Sequence, residues 1–282
     1  MVLFPGSSGI LRTGKVRTFA FPVHGHALVF RAAIPRLPIR ILRMVTDDTE
    51  AILKRLTGCL DLSIRLRAAA KADVKAAKYR QDLRAWQAAR LARTHADLLA
   101  SPRFGRAAAF FLADIYSDRD VGGRDEQVKQ AVPAMSKFLS VSALETATDA
   151  IELDALTEDL DAAMIAVLGP QTAALDVGAY GRAYREVDRR RDRERQIHLI
   201  EHLGQTLDRL ANRRFAGPAL VLLRKPAQLA GFGDLLAFLE RGYDAVHGMG
   251  SVEEFLNLVV SREKRVLEAV FAGDDSVLGK GQ

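Results

Sequence analysis

VSALETATDAIELDALTEDLDAAMIAVL, residues 141–168, is the stretch whose reading decides the fold. Its apolar positions Leu153, Leu156, Leu160, Met164 and Val167 are spaced by three and four. That period lines one face of an α-helix, whereas a half-buried strand would alternate every second residue. Gly169-Pro170 then ends it, because proline cannot extend the hydrogen-bond ladder and glycine accepts the sharp backbone turn at a helix C-terminus.

The helical period recurs outward in both directions. Upstream, Ile52, Leu56, Cys59 and Leu60 share a stripe, and residues 71–99, rich in strong helix formers, align Tyr79, Leu83 and Trp86. Ser101-Pro102 reads as a helix start leading into Phe104, Ala108, Phe111, Leu112 and Ile115. Downstream, a highly charged helix is expected over about 182–212, with Ile197, Ile200, Leu203, Leu207 and Leu210 as its apolar face. The short run Ala219 to Leu223 reads as a buried helix; residues 233–247 align Leu235, Leu239, Tyr243 and Val246; a last helix stops at Gly273. No hairpin signal between alternating runs, internal repeat or phosphate-binding glycine loop is found. The expected fold is all-α, one multi-helix bundle over residues 44–273, with an irregular N-terminal tail and a short C-terminal tail at 274–282.

Charge separates the tail from the body. The chain has 282 residues, 41 Lys and Arg against 35 Asp and Glu, and a formal net charge of +6. Residues 1–43 hold Arg12, Lys15, Arg17, Arg31, Arg36, Arg40 and Arg43 and no acid, so the remainder is almost neutral. A neutral body lacks the broad positive footprint of non-specific phosphate binding, which disfavours nucleic acid as a partner. The tail, with prolines at 5, 22, 35 and 38, has three readings: a targeting segment, a secretory signal interrupted by Arg31, or an extension ahead of a true start at Met44, the reading favoured here. From Met44 the sequence Val-Thr-Asp-Asp-Thr-Glu looks like a capped helix start. No apolar run approaches the ~20 residues that span a bilayer. The single cysteine, Cys59, excludes an intrachain disulfide and fits a small buried apolar residue; a cytoplasmic location is expected.

Between Lys137 and Arg182 there is no basic residue but Glu145, Asp149, Glu152, Asp154, Glu158, Asp159, Asp161 and Asp176, and the next segment carries Arg182, Arg185, Arg189, Arg190, Arg191, Arg193 and Arg195. Adjacent blocks of opposite sign suggest two helices side by side with complementary, solvated polar edges.

Two motifs invite a functional reading. His198-Leu-Ile-Glu201-His202 has the H-x-x-E-H order of inverted zinc metalloproteases, with histidines four apart on one helix face and a glutamate able to activate a bound water. Those histidines lie nearly opposite the apolar stripe, and a catalytic zinc needs a third protein ligand and a sheltered site. The second is the turn Asp114-Ile-Tyr116-Ser-Asp118-Arg119-Asp120-Val-Gly-Gly-Arg124-Asp125. As a calcium loop it fails at position 5 (Gly122) and position 12 (Lys129). It remains a candidate polar pocket in which Asp114, Tyr116, Asp118, Arg119, Arg124 and Asp125 would meet a small anionic ligand, against the alternative of local turn hydrogen bonds. No Ser/His/Asp or Cys/His arrangement stands out, so the reading leans away from an enzyme, and no cofactor is expected.

Phe110-Phe111-Leu-Ala-Asp114-Ile-Tyr116, Arg124-Asp125, Leu156-Thr-Glu-Asp-Leu160-Asp161, Lys225-Pro226-Ala-Gln-Leu-Ala-Gly231 and Phe238-Leu-Glu-Arg-Gly242 together resemble an uncharacterised family of helical bacterial proteins, a domain of unknown function, over roughly residues 70–272. The resemblance implies an all-helical fold and a bacterial origin, and carries no activity, cofactor or catalytic residue. The sequence thus points to a protein-interaction or regulatory module that binds a protein partner or self-associates; the alternative is a small-molecule-binding or metal-dependent enzyme using the 114–125 turn or the 198–202 helix.

Overall fold

A computed structural model describes residues 17–23, 26–32, 39–112, 129–130, 132–133, 140–211, 217, 221–222, 224–225, 233–247, 249–250 and 252–279. It divides into two compact units, with the boundary after Asp48. In the first, β1 (Arg17–Val23) and β2 (His26–Ala32) pair antiparallel, Arg17 opposite Ala32 and Val23 opposite His26. Helix α1 (Ile39–Ala72) begins ahead of Met44, so the Thr46 to Glu50 acids lie inside a helix instead of starting one.

The second unit is all-α among its described residues. After α1 come α2 (Val74–Thr94), α3 (Ala96–Ala100), α4 (Gly105–Phe110), α5 (Val141–Leu168), α6 (Val177–Val187), α7 (Arg190–Ala211), α8 (Gly233–Val246) and α9 (Val252–Phe271), with 3-10 turns at Gly169–Ala174 and Asp275–Leu278. The starts follow local chemistry. Asp73 accepts from the Lys75 N–H to open α2, Ser140 from the Ala143 N–H to open α5, and Asp176 from the Ala179 N–H to open α6, each satisfying a backbone donor that the first turn leaves unpaired. The single helix expected over 182–212 is two, because Asp188 takes a left-handed conformation (φ 48°) between α6 and α7. Aspartate tolerates that region better than most residues, and the break had no glycine or proline to announce it.

Apolar clusters join the helices. Ile52, Leu56 and Leu60 of α1 meet Leu144 of α5; Leu83, Met164, Tyr180, Val266 and Leu278 join α2, α5, α6 and α9; Phe104, Ala107 and Ala108 join Phe255, Leu256 and Val259. Helix α5 is buried on more than its apolar stripe: Thr148, Asp149, Thr157, Glu158 and Asp161 are buried as well. The run expected as a buried helix around 219–223 is helical at residues 221–222, but Val221 and Leu222 are 56% and 78% exposed.

Three glycines permit close approaches: Gly105 of α4 against the Leu99 carbonyl, Gly181 of α6 against the Asp275 carboxylate and Gly204 of α7 against the Leu256 side chain. Gly58, exposed in mid-α1, has nothing within 4 Å of where a Cβ would sit. Gly181→Ala is therefore expected to lower unfolding free energy by about 1–3 kcal/mol, while Gly58→Ala raises it by up to about 1 kcal/mol, both read from urea unfolding curves.

Candidate functional site

The interior of the second unit is ionic as well as apolar. On α5, Asp154, Glu158 and Asp161 are spaced by four and three and so face one way; on α2, Arg80, Arg84 and Gln87 do the same. The two faces meet. Glu158, its side chain 3% exposed, accepts from Arg67 Nε at 3.0 Å, Arg84 Nη2 at 2.7 Å and Arg80 Nη2 at 2.7 Å. Asp161 accepts from Arg84 Nε at 3.1 Å and Gln87 Nε2 at 3.0 Å, and Asp154 from Arg67 Nη2 at 2.6 Å and Ser63 Oγ at 3.2 Å. Burial alone would push the Glu158 carboxyl up; its hydrogen bond with Arg80 and the charges of Arg84, Arg80 and Arg67 outweigh that and hold it below the usual carboxylate range.

The acidic block of α5 thus has two sets of partners. The expected pairing with the arginine block holds at one edge, where Arg195 of α7 reaches Glu152 at 2.7 Å and Arg189 reaches Asp159 at 2.6 Å. The deeper carboxylates are not a solvated edge. They are neutralised from α1 and α2, whose arginines the sequence pattern left unassigned.

Continuous with this lattice, α2, α5, α6, α7 and α9 line a cavity of about 50 Å³. Its polar lining includes Gln87, Thr157, Asp161, Arg193, Gln196 and Glu263, with Tyr184, Ile197 and Ile200 among the remainder. Most of these groups are committed. Gln196 Nε2 donates to Thr157 Oγ1 at 2.8 Å, and Thr157 in turn donates to the Leu153 carbonyl. Glu263 accepts from Arg90 Nη1 at 2.7 Å and lies 3.0 Å from His95 Nε2. Burial would raise the Glu263 carboxyl, yet Arg90 and His95 bring it down to about 2. Burial pushes the Tyr184 phenol up to about 12, against the pull of Arg193.

Arg193 and Gln87 each carry a polar atom that is not committed. Arg193 is 7% exposed, and its guanidinium sits 4.3 Å over the Tyr184 ring. Its Nη2 has no hydrogen-bond partner, and no ion pair reaches it, among the described residues. Gln87 is 4% exposed, and with its Nε2 held on Asp161 its Oε1 is likewise without a partner there.

His198 is exposed; His202 is 45% exposed, with Nε2 3.5 Å from Asp149 Oδ2, and Glu201 lies 3.9 Å from Lys264. Among the described residues no group of three or more His, Cys, Asp and Glu side chains is placed to hold a metal ion. Asp114, Tyr116, Asp118, Arg119, Arg124 and Asp125 lie outside the described residues. Cys59 is half-buried, and its thiol is pushed up by burial, away from thiolate reactivity at neutral pH. Among the described residues no helix is long and apolar enough to cross a membrane.

A carboxyl held at about 2 in the fold and near 4.5 when free stabilises the folded chain fully above pH ~4.5. That contribution, on the order of 3 kcal/mol, is lost as pH falls from there towards 2. Glu263→Gln is expected to be less stable at pH 7 and to lose stability less steeply across that window, as read from urea unfolding at each pH.

Residues 66–277 match a domain of unknown function (DUF8198), and the chain belongs to that family. No match is found among curated proteins or among solved structures.

Proposed function

We propose that this member of the DUF8198 family is a non-catalytic binding module whose helical body closes around a small polar ligand, a regulatory part whose stability reports occupancy. The observation that carries this reading is the interior cavity lined by Arg193 and Gln87, both more than nine-tenths buried, each with a polar atom lacking a partner among the described residues. Groups so buried are stable only when something satisfies them, and bonding capacity left open inside a cavity is what a ligand supplies. Binding is favoured over catalysis because Glu263, at about 2, and Tyr184, at about 12, are both far from the neutral range in which a general acid or base works well.

The chain's single tryptophan, Trp86, stacks on Tyr180 of the cavity wall with ring centroids 4.1 Å apart, which provides a built-in reporter. A panel of few-atom polar compounds, anionic, neutral and cationic, would be titrated against Trp86 emission and thermal unfolding. A ligand at a hundred times its Kd is expected to add about 2.7 kcal/mol of stability. Ile200→Phe, which fills the cavity, is expected to abolish that gain while still unfolding cooperatively. If no compound of any charge shifts the wild-type protein, the reading fails.

A second reading, a module that associates with another copy of itself, is favoured by the exposure of Val221 and Leu222 at 56% and 78%. Large apolar side chains exposed next to one another are what an association surface covers. Leu222→Asp is expected to lower the mass measured by light scattering from oligomer to monomer; a wild-type chain that is monomeric at high concentration rules this reading out.

A further inference from the structure

The chemistry of the ligand follows from which groups around the cavity are left over, and it rests on the ligand-binding reading above. Every carboxylate of the lattice is matched. Asp154, Glu158 and Asp161 are held by Arg67, Arg80 and Arg84, and Glu263 by Arg90. Arg193 has no carboxylate partner among the described residues, and at 7% exposure it is nearly cut off from solvent. The Tyr184 ring face beneath it offers a quadrupole, which does not replace an anion. A guanidinium presents planar donors suited to oxyanions, so the charge the cavity lacks is negative.

The second leftover group constrains the ligand further. Turning the Gln87 amide over would place its oxygen against the Asp161 carboxylate, so Nε2 stays on Asp161 and Oε1 remains an acceptor in the cavity wall. An acceptor repels a bare oxyanion and welcomes an O–H or N–H. A cavity of about 50 Å³ has room for only a few heavy atoms, far less than the several hundred Å³ of a typical metabolite pocket.

We infer that the cavity binds a small oxyanion that retains a proton, with Arg193 on its charged oxygens and Gln87 Oε1 accepting from its O–H, the chemistry shared by hydrogen phosphate and bicarbonate. Sulfate and nitrate, which carry the charge without the proton at neutral pH, leave the Gln87 acceptor unpaired. A site built around a hydrogen bond rejects the analogue that lacks it by large factors.

The test uses the full chain, with inorganic phosphate and bicarbonate as probes in separate arms and sulfate and nitrate as matched controls at constant ionic strength. The readouts are Trp86 emission and thermal midpoint. Saturable shifts are expected with phosphate or bicarbonate, the responding arm identifying the source, and at least tenfold weaker responses with the controls. Arg193→Gln is expected to abolish the response yet to unfold at the same or a higher temperature without ligand, because a buried unpaired charge has been removed. A merely structural arginine would instead lower the midpoint. Gln87→Leu is expected to erase the preference for phosphate over sulfate.

Equal responses to phosphate and sulfate in the wild-type protein overturn the protonated-ligand assignment. A neutral or cationic compound that binds and is blocked by Ile200→Phe, with no anion binding, overturns this inference and leaves the ligand-binding reading standing. No binding by any compound overturns both.

Discussion

A glutamate with its side chain 3% exposed, Glu158, holds three arginines from two helices, and the arrangement of α1, α2 and α5 depends on it. A lone carboxylate at that depth would take up a proton rather than stay charged, and three guanidinium groups without it would repel one another. Each charge is tolerable only because the others are there. Buried ion pairs add little net stability over an apolar core of the same shape, but breaking one by removing a single partner costs about 3–5 kcal/mol. The lattice therefore acts less as a source of stability than as a condition on geometry. Arg67 must come from α1, and Arg80 and Arg84 from successive turns of α2, so a slip of either helix along α5 leaves charges stranded.

That condition explains which parts of the fold were legible in the sequence. Leu153, Leu160 and Met164, read from their spacing, are buried, and so are Ile52, Leu56, Leu60 and Leu83. Periodicity works for these because apolar side chains have one favourable place to go. It fails for Glu158 and Asp161, which stand three apart on the same helix and are also drawn inward. A charged residue goes to solvent by default, and only a partner distant in sequence reverses that; Arg67 is 91 residues from Glu158. The signal was present as a second helical stripe, acidic on α5 and basic on α2, but a stripe does not say what it faces. Asp188 and Leu222 were opaque for local reasons. The first breaks a helix without a glycine or proline, and the second belongs to an apolar run too short for period to assign a face.

The candidate site was less legible still. Its members come from α2, α5, α6, α7 and α9, and none stands in a recognisable motif. Arg193 sits in a run of arginines that as a sequence reads as a solvated helix face, and its neighbours Arg189, Arg190 and Arg195 do pair with acids at or near the surface. What separates Arg193 is the turn of helix it occupies: three and four residues on lie Gln196 and Ile197, both buried, so the same face carries it inward. A block of like charge conceals the one member whose surroundings differ.

The family match bears on how lattice and cavity are related. It runs from residue 66 to residue 277, and so takes in Arg67, the carboxylates of α5, the arginines of α2, and both Gln87 and Arg193. The strands β1 and β2 and most of α1 fall outside it. The lattice and the cavity thus belong to one domain, joined through Gln87, which lines the cavity and whose amide nitrogen completes Asp161 of the lattice. A group entering the cavity would be felt through that amide by Asp161, then Arg84, then Glu158, in a chain of charge-assisted hydrogen bonds inside a low-dielectric interior, where each bond polarises the next. The network that fixes the register of α1, α2 and α5 is then also the route by which an occupant of the cavity would alter the stability of the domain.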